Sequence, residues 1–75
     1  MKSGLVARTH DAVPRVLAIR EDSAVGFYLY VLEGGKCIYD DLQDDLETVM
    51  EVALEEFGVR TEDWKVEPYP PELNL

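Results

Sequence analysis

Residues 40–58 read DDLQDDLETVMEVALEEFG, and this stretch decides the fold that the sequence predicts. Its apolar side chains recur at helical spacing, which indicates an amphipathic helix with one apolar stripe. The stripe consists of Leu42, Leu46, Val49, Met50, Ala53, Leu54 and Phe57. We expect the helix to span residues 44–57, with Asp44 or Asp45 as its cap. Gly58 then ends it as the left-handed residue of a Schellman motif.

The polar side of this helix carries only carboxylates and one threonine. The carboxylates are Asp44, Asp45, Glu47, Glu51, Glu55 and Glu56. Negative charge in the first turn suits the helix dipole, but Glu51, Glu55 and Glu56 lie toward the end where the dipole disfavours it. Glu51 also has like-charge neighbours at i−4 and i+4, and each pair costs about 0.2–0.5 kcal/mol. A plain solvated face and a surface for a basic partner both remain open as interpretations.

Three strands precede the helix in the prediction. Pro14 opens a strand at residues 15–20, because proline is tolerated at the first position of a strand. Residues 25–32 (VGFYLYVL) are dense in β-branched and aromatic side chains. The Gly34-Gly35 pair predicts a hairpin turn into a third strand at residues 36–42. The predicted fold class is therefore α+β, a three-stranded antiparallel meander with one helix packed on one face.

The chain is expected to form a single domain, because 75 residues supply one small core. Its segments are an N-terminal arm at 1–13, the meander at 14–42, the helix at 44–57 and a C-terminal segment at 58–75. The C-terminal segment contains a candidate fourth strand, Trp64–Glu67, and then the proline-rich stretch Pro68-Tyr69-Pro70-Pro71.

Both faces of the middle strand are apolar or aromatic, whereas one helix covers only one of them. Tyr28 and Tyr30 lie on the second face, and Tyr39 extends it if the register allows. The cover can come from the chain itself, from a second copy or from another protein, and tyrosine suits all three. The segments available for self-coverage are Leu5-Val6 and the C-terminal residues Trp64, Tyr69, Leu73 and Leu75.

The charge of the chain is strongly negative. Sixteen acidic and seven basic side chains give a formal net charge of −9. Nucleic acids and anionic membranes are bound through Lys and Arg, so we expect neither as a partner. A basic protein is the partner that this charge favours, although solubility alone also accounts for it. The first residues lack an apolar signal segment and the single cysteine suits a reducing compartment, so we expect a cytoplasmic protein.

Side chains suited to catalysis are few. A nucleophile would have to come from Ser3, Ser23 or Cys37. His10 is the only imidazole base, and no glycine motif near either serine suggests an oxyanion hole. His10 beside Asp11 is a weak signal for a metal, and the paired aspartates lack the spacing of a calcium loop. We therefore predict no enzyme activity, no cofactor and no metal.

A resemblance to a known family follows from the order of motifs in residues 14–58. An acidic turn at Glu21-Asp22 leads to Gly26 and the aromatic strand FYLYV, then to a glycine turn, a strand with Cys37 and an acidic helix. This order resembles the N-terminal β-β-β-α domain of HicB-type antitoxins and of short uncharacterised bacterial proteins. The resemblance implies a bacterial origin and a partial double-stranded-RNA-binding fold. It also implies that the chain neutralises a small basic toxin by covering its active surface.

The sequence thus predicts a non-catalytic acidic domain that binds a protein, as an inhibitor of the antitoxin or immunity type. Carboxylates would attract the basic partner, and tyrosines would supply apolar contact. The predicted partner-binding residues are Asp44, Glu47, Glu51, Glu55, Tyr28, Tyr30 and Tyr39. The alternative is a homodimeric structural domain joined through the second sheet face. A third interpretation is mimicry of nucleic acid, in which the carboxylates occupy a phosphate-binding groove of the partner.

Overall fold

A computed structural model describes residues 2–75 as one five-stranded antiparallel sheet, an α-helix and two short 3-10 helices. The strands are β1 (Ser3–Arg8), β2 (Arg15–Asp22), β3 (Gly26–Glu33), β4 (Lys36–Gln43) and β5 (Lys65–Pro68). The helix is α1 (Leu46–Phe57), and the 3-10 helices span Thr61–Asp63 and Pro71–Leu73. Across the sheet the order is β4-β3-β2-β1-β5, so β4 and β5 are its edges.

The α+β class and the meander of β2, β3 and β4 are confirmed, but the sheet has more strands than the three predicted. The additional strand β1 comes from the segment expected to be an N-terminal arm, and it pairs with β2 over Leu5–Arg8. The short strand expected after the helix is β5, which pairs with β1. The sheet therefore gains its last strand through a long-range contact, because β1 and β5 come from opposite ends of the chain.

Helix α1 begins two residues later than predicted, at Leu46, because Asp45 is the cap. The Asp45 side chain accepts a hydrogen bond from the Thr48 backbone N–H at 2.8 Å. Gly58 ends the helix with φ 70°, as predicted, and its N–H donates to the Leu54 carbonyl at 3.0 Å. The Val59 N–H donates to the Ala53 carbonyl at 3.1 Å, which completes a Schellman motif.

Two members of the predicted apolar stripe do not serve as helix core residues. Leu42 belongs to strand β4 and is exposed. Leu54 lies on α1 but 52% of its surface is exposed. The fully buried residues of α1 are Val49 and Ala53, which pack against the centre of the sheet. The predicted stripe is wider than the buried face of the helix, because helical spacing alone does not say how much of an apolar arc the sheet covers.

The second face of the sheet is covered in part by the chain's own C-terminal tail. Val6, Ala18 and Leu32 lie on this face and are buried. The Tyr69 hydroxyl donates to the Ile19 carbonyl at 2.8 Å, and the second 3-10 helix contacts β4. A second copy of the chain would therefore meet the tail on this face as well as the sheet.

Among the residues proposed for self-coverage, Leu5, Val6 and Trp64 do not act as a cover of the second face, and Leu5 and Val6 are instead part of strand β1. Tyr69, Leu73 and Leu75 are half-buried residues of the tail. Trp64 instead belongs to the core on the helix side, together with Ala7 and Val59. It precedes β5 immediately, so its side chain fills the sheet face that α1 also covers.

Candidate interaction surface

Two ridges run side by side along α1, one apolar and one acidic. Leu46, Met50 and Leu54 form the apolar ridge at i,i+4 spacing. The acidic ridge consists of Glu47, Glu51 and Glu55. A shallow groove is lined by Leu46, Met50, Leu54, Glu47, Glu51 and Thr61. Because Thr61 lies on the segment that leads into β5, the groove opens toward the β5 edge of the sheet.

Beside this groove, the residues of one cross-strand row become more exposed from the centre of the sheet to its β5 edge. In that row Leu29 pairs with Ile19, Ile19 with Leu5, and Leu5 with Val66. Leu29 is 0% exposed and Ile19 is 3% exposed, but Leu5 is half-buried and Val66 is 76% exposed. Since cross-strand partners share one face, these side chains lie on the helix side of the sheet. Burial therefore declines steadily from β3 to β5.

The neighbouring cross-strand row on the same face is buried along its whole length. Val31, Leu17 and Ala7 are paired across β3, β2 and β1, and all three are buried. Trp64 and Val59 complete the core at this end of the sheet. The uncovered apolar surface is thus confined to the Leu5 and Val66 end, next to the first turns of α1.

The carboxylates of α1 have no ion-pair partner among residues 2–75. The ion pairs of these residues are Arg8–Glu67 at 2.8 Å, Arg15–Glu33 at 3.1 Å and Arg60–Glu62 at 3.4 Å. Arg15 and Arg60 lie nearest to the end of α1, but each is already paired with another glutamate. The fold therefore leaves the negative charge of the acidic ridge uncompensated.

The electrostatic effect of this acidic side reaches Tyr39. Burial raises the pKa of the Tyr39 hydroxyl, and the nearby carboxylates of Asp41, Glu56 and Asp40 raise it further. A phenol that ionises with difficulty beside carboxylates is expected where negative potential accumulates. Negative charge therefore also accumulates along β4, outside the acidic ridge.

The predicted carboxylates lie together, but the predicted tyrosines do not join them. Asp44 is exposed just before the cap of α1, and Glu47, Glu51 and Glu55 form the acidic ridge. Tyr28 and Tyr30 lie on the second face, where their rings stack with centroids 5.9 Å apart. The Arg20 guanidinium lies 4.8 Å from the Tyr28 ring centroid. These rings are therefore on the far side of the sheet from α1.

The expectation that Tyr39 extends the Tyr28 and Tyr30 surface is wrong. Tyr39 lies on the helix side, where its ring meets Phe57 edge-on at a centroid distance of 5.4 Å. The cause is a β-bulge near Ile38, since Leu32 pairs with Cys37 while Val31 pairs with Tyr39. A regular hairpin would have placed Tyr39 opposite Tyr30. One extra residue in β4 reverses the face of every residue that follows.

Sequence reasoning did not identify Leu5 and Val66 as site residues. Leu5 falls in the predicted N-terminal arm, where the sequence offers it as a cover for the second face and not as a strand residue on the helix side. The short apolar run GLVA, bounded by Ser3 and Arg8, is the signal that could have identified β1 as a strand buried on both faces. Val66 has no comparable signal, because its exposure depends on where α1 ends relative to β5.

The side chains considered for chemistry do not form a cluster. Cys37 lies on the edge strand β4, whereas His10 lies in the loop after β1, and both β2 and β3 stand between these strands. Three strand spacings amount to about 14 Å, which is beyond the reach of a thiol–imidazole hydrogen bond. Within residues 2–75, no group of three His, Cys, Asp or Glu side chains is placed to hold a metal ion. No helix of this part of the chain has the length and apolarity to cross a membrane.

Comparison with known proteins gives no match, whether by protein-family models, by curated proteins or by solved structures.

Proposed function

We propose that this chain is a non-catalytic domain that binds a basic protein through the carboxylates of α1. The observation that carries the proposal is the absence of ion pairs for Glu47, Glu51 and Glu55 within residues 2–75, beside an apolar ridge that is only partly covered. Charge and apolar surface on the same side of the molecule are what a protein-binding surface requires. We place the contact on the helix layer rather than on the tyrosines of the second face.

Energetics support a binding role over a purely structural one. The two i,i+4 pairs along the acidic ridge cost together about 0.4–1 kcal/mol, which is noticeable in a small domain. The exposed apolar atoms of Leu54 and Val66 add nothing to the core. A basic partner would remove both penalties at once, because it would neutralise the carboxylates and bury the apolar side chains.

The type of partner follows from the same charges. An acidic surface accelerates association with a basic protein by long-range attraction, and it repels nucleic acids and other acidic proteins. An inhibitor of the antitoxin or immunity type acts in this way when it covers the active surface of a basic enzyme. The resemblance to HicB-type antitoxins supports this choice, and we propose a cytoplasmic site of action.

A matched pair of charge variants tests the proposal. The first variant carries Glu47→Gln, Glu51→Gln and Glu55→Gln on the acidic ridge. The control carries Asp11→Asn, Asp40→Asn and Glu72→Gln, which are exposed residues of a loop, an edge strand and the tail. Each set changes the net charge from −9 to −6, because three carboxylates are neutralised. The two variants therefore differ in the position of the charge and not in its amount.

Both variants and the unaltered chain would serve as bait for a lysate of the source cell at low salt. We expect one basic protein to be retained at about equal stoichiometry by the unaltered chain and by the control, and to be released by salt. The ridge variant should retain much less of it. Equal retention by the two variants would contradict a binding site on α1, and recovery of no basic protein would contradict the proposed function.

A further inference from the structure

We propose that the groove between α1 and the β1–β5 edge receives one amphipathic helix of the basic partner, with an apolar ridge flanked by Lys or Arg. This inference rests on the proposed function, and it adds the place and the secondary structure of the contact. On α1 the groove is lined by Leu46, Met50 and Leu54. We assign its other wall to Leu5 and Val66, which are paired across β1 and β5 on the helix side of the sheet.

The dimensions of the sheet leave room for one more helix. Five strands at a spacing of about 4.8 Å make a sheet roughly 19 Å wide between its outer strands. A helix with its side chains is about 10 Å across, and α1 contacts β3 and β4. The strands β1 and β5 are therefore left for a neighbour, since packed helices lie about 8–10 Å apart. Trp64 and Val59 belong to the core on this face and occupy part of this space.

The apolar side chains at the open end match the surface of a helix. Met50 and Leu54 are one turn apart on α1, and they form a ridge against which another helix can pack. Val66 stands at 76% exposure on the opposite side of the opening. A helix laid between them would bury Val66 and the exposed half of Leu54.

The charges around the groove determine which helix is favoured. Glu47 and Glu51 line the groove itself, and Glu55 continues the ridge. Glu21 lies on the same face of the sheet, opposite Phe27, and is exposed. Carboxylates at the rim favour Lys and Arg flanking the apolar ridge of the partner. A second copy of the chain would instead bring its own acidic ridge against these carboxylates, which disfavours self-association.

An added strand at the nearby sheet edge is a poorer fit than a helix. The edge strand β5 has only four residues, Lys65–Pro68, and it ends at a proline. Short edges that carry charges and proline resist pairing with another strand. The partner is therefore expected to use side-chain contacts in the groove, rather than backbone hydrogen bonds along β5.

The probe for this inference is a synthetic peptide of about 14 residues built from Leu and Lys, with Leu at i, i+3, i+4 and i+7 spacing. A control peptide has the same composition with Leu and Lys in strict alternation, which favours a strand. Both peptides have the same charge, so they differ only in the surface they present. Binding would be measured by calorimetric titration and mapped by NMR on the intact chain.

We expect the helical peptide to bind more tightly than the alternating one and to shift the signals of Leu5, Met50, Leu54 and Val66. The variant Leu54→Gln with Val66→Gln should weaken binding of the helical peptide about tenfold. The control variant Ile38→Gln with Leu42→Gln also replaces two exposed apolar residues, at 49% and 43% exposure, and should leave the affinity unchanged. Circular dichroism would check that both variants keep the fold.

The experiment gives different results if the helix does not bind in the groove and if the acidic surface does not bind a basic partner at all. Equal affinity for both peptides, with loss of binding only in the ridge variant at Glu47, Glu51 and Glu55, would overturn the groove and keep the acidic binding surface. Weakening by Ile38→Gln with Leu42→Gln instead would also overturn the groove. Binding that no variant changes would overturn both proposals. A dimer of the unaltered chain that Leu54→Gln with Val66→Gln dissociates would identify a second copy as the occupant and contradict the basic helix.

Discussion

Replacement of Gly4 by alanine tests the cover of the second sheet face by the C-terminal tail. Gly4 lies in β1 with an ordinary extended backbone, so its φ gives no reason to require glycine. A Cβ atom at this position would overlap the Tyr69 ring and hydroxyl. The Tyr69 hydroxyl in turn donates to the Ile19 carbonyl at 2.8 Å. Glycine at position 4 is therefore needed by the tail and not by the strand.

Whether Gly4→Ala raises or lowers the free energy of unfolding depends on where Tyr69 lies. In a strand without a neighbour above it, Gly→Ala stabilises by about 0.5–1 kcal/mol. With the tail in place, alanine must displace Tyr69, which loses its hydrogen bond to the Ile19 carbonyl and its packing against β1. We estimate a net destabilisation of about 2 kcal/mol for Gly4→Ala. This is a large share of the roughly 4–11 kcal/mol expected for a domain of this size.

A double-mutant cycle makes this prediction specific. In a Tyr69→Ala background the overlap is gone, so Gly4→Ala should become stabilising and the two sites should be coupled by about 2–3 kcal/mol. Urea unfolding can be followed by the fluorescence of Trp64, which is the single tryptophan and is buried on the other side of the sheet. Stabilisation by Gly4→Ala in the unaltered chain would refute the position of the tail. Absence of coupling would refute it equally.

Two further predictions concern α1. Glu51→Lys converts two repulsive i,i+4 pairs into attractive ones, so it should raise the free energy of unfolding by about 1 kcal/mol at low salt, and less at about 1 M salt. The control Glu72→Lys in the tail should give no such gain, and an equal gain would show that net charge rather than the ridge is responsible. The hydrogen bond from the Thr48 N–H holds the pKa of Asp45 below its ordinary value, so its stabilising contribution is complete above about pH 3.9 and is lost as the pH falls through the lower folded pKa. The melting temperature of Asp45→Asn, followed between about pH 6 and pH 2.5, should therefore fall less at low pH than that of the unaltered chain. An equal fall in the two proteins would contradict the role of Asp45 as the cap.

Local patterns in the sequence predicted the elements that depend on neighbouring residues. The helix, its cap among two adjacent aspartates and its end at Gly58 follow from spacing and from the left-handed conformation of a glycine. The Gly34-Gly35 hairpin between β3 and β4 follows from the same kind of reasoning, and both glycines have positive φ. These features are encoded within one or two turns of chain, which is why the residues identify them.

Features that depend on distant residues were not predictable in this way. The bulge near Ile38 places Tyr39 against Phe57, and the residues of β4 contain no local signal that predicts this bulge. The strand β1 exists because β2 and β5 pair with it from both sides. The same distinction holds for the candidate site, since the acidic ridge depends on neighbouring residues of one helix and could be predicted from the sequence. The apolar opening beside it could not, because it arises where a short helix meets a wide sheet.

The central claim is that the acidic ridge of α1 attracts the partner, and association kinetics test it most directly. The captured basic protein would be mixed with the unaltered chain, with the variant at Glu47, Glu51 and Glu55, and with the matched control at Asp11, Asp40 and Glu72. We predict that the ridge variant slows association by about tenfold at low salt, and that added salt removes most of this difference. The control should slow association far less. Equal slowing by the two variants would contradict the account, because net charge would then explain the attraction without any site on α1.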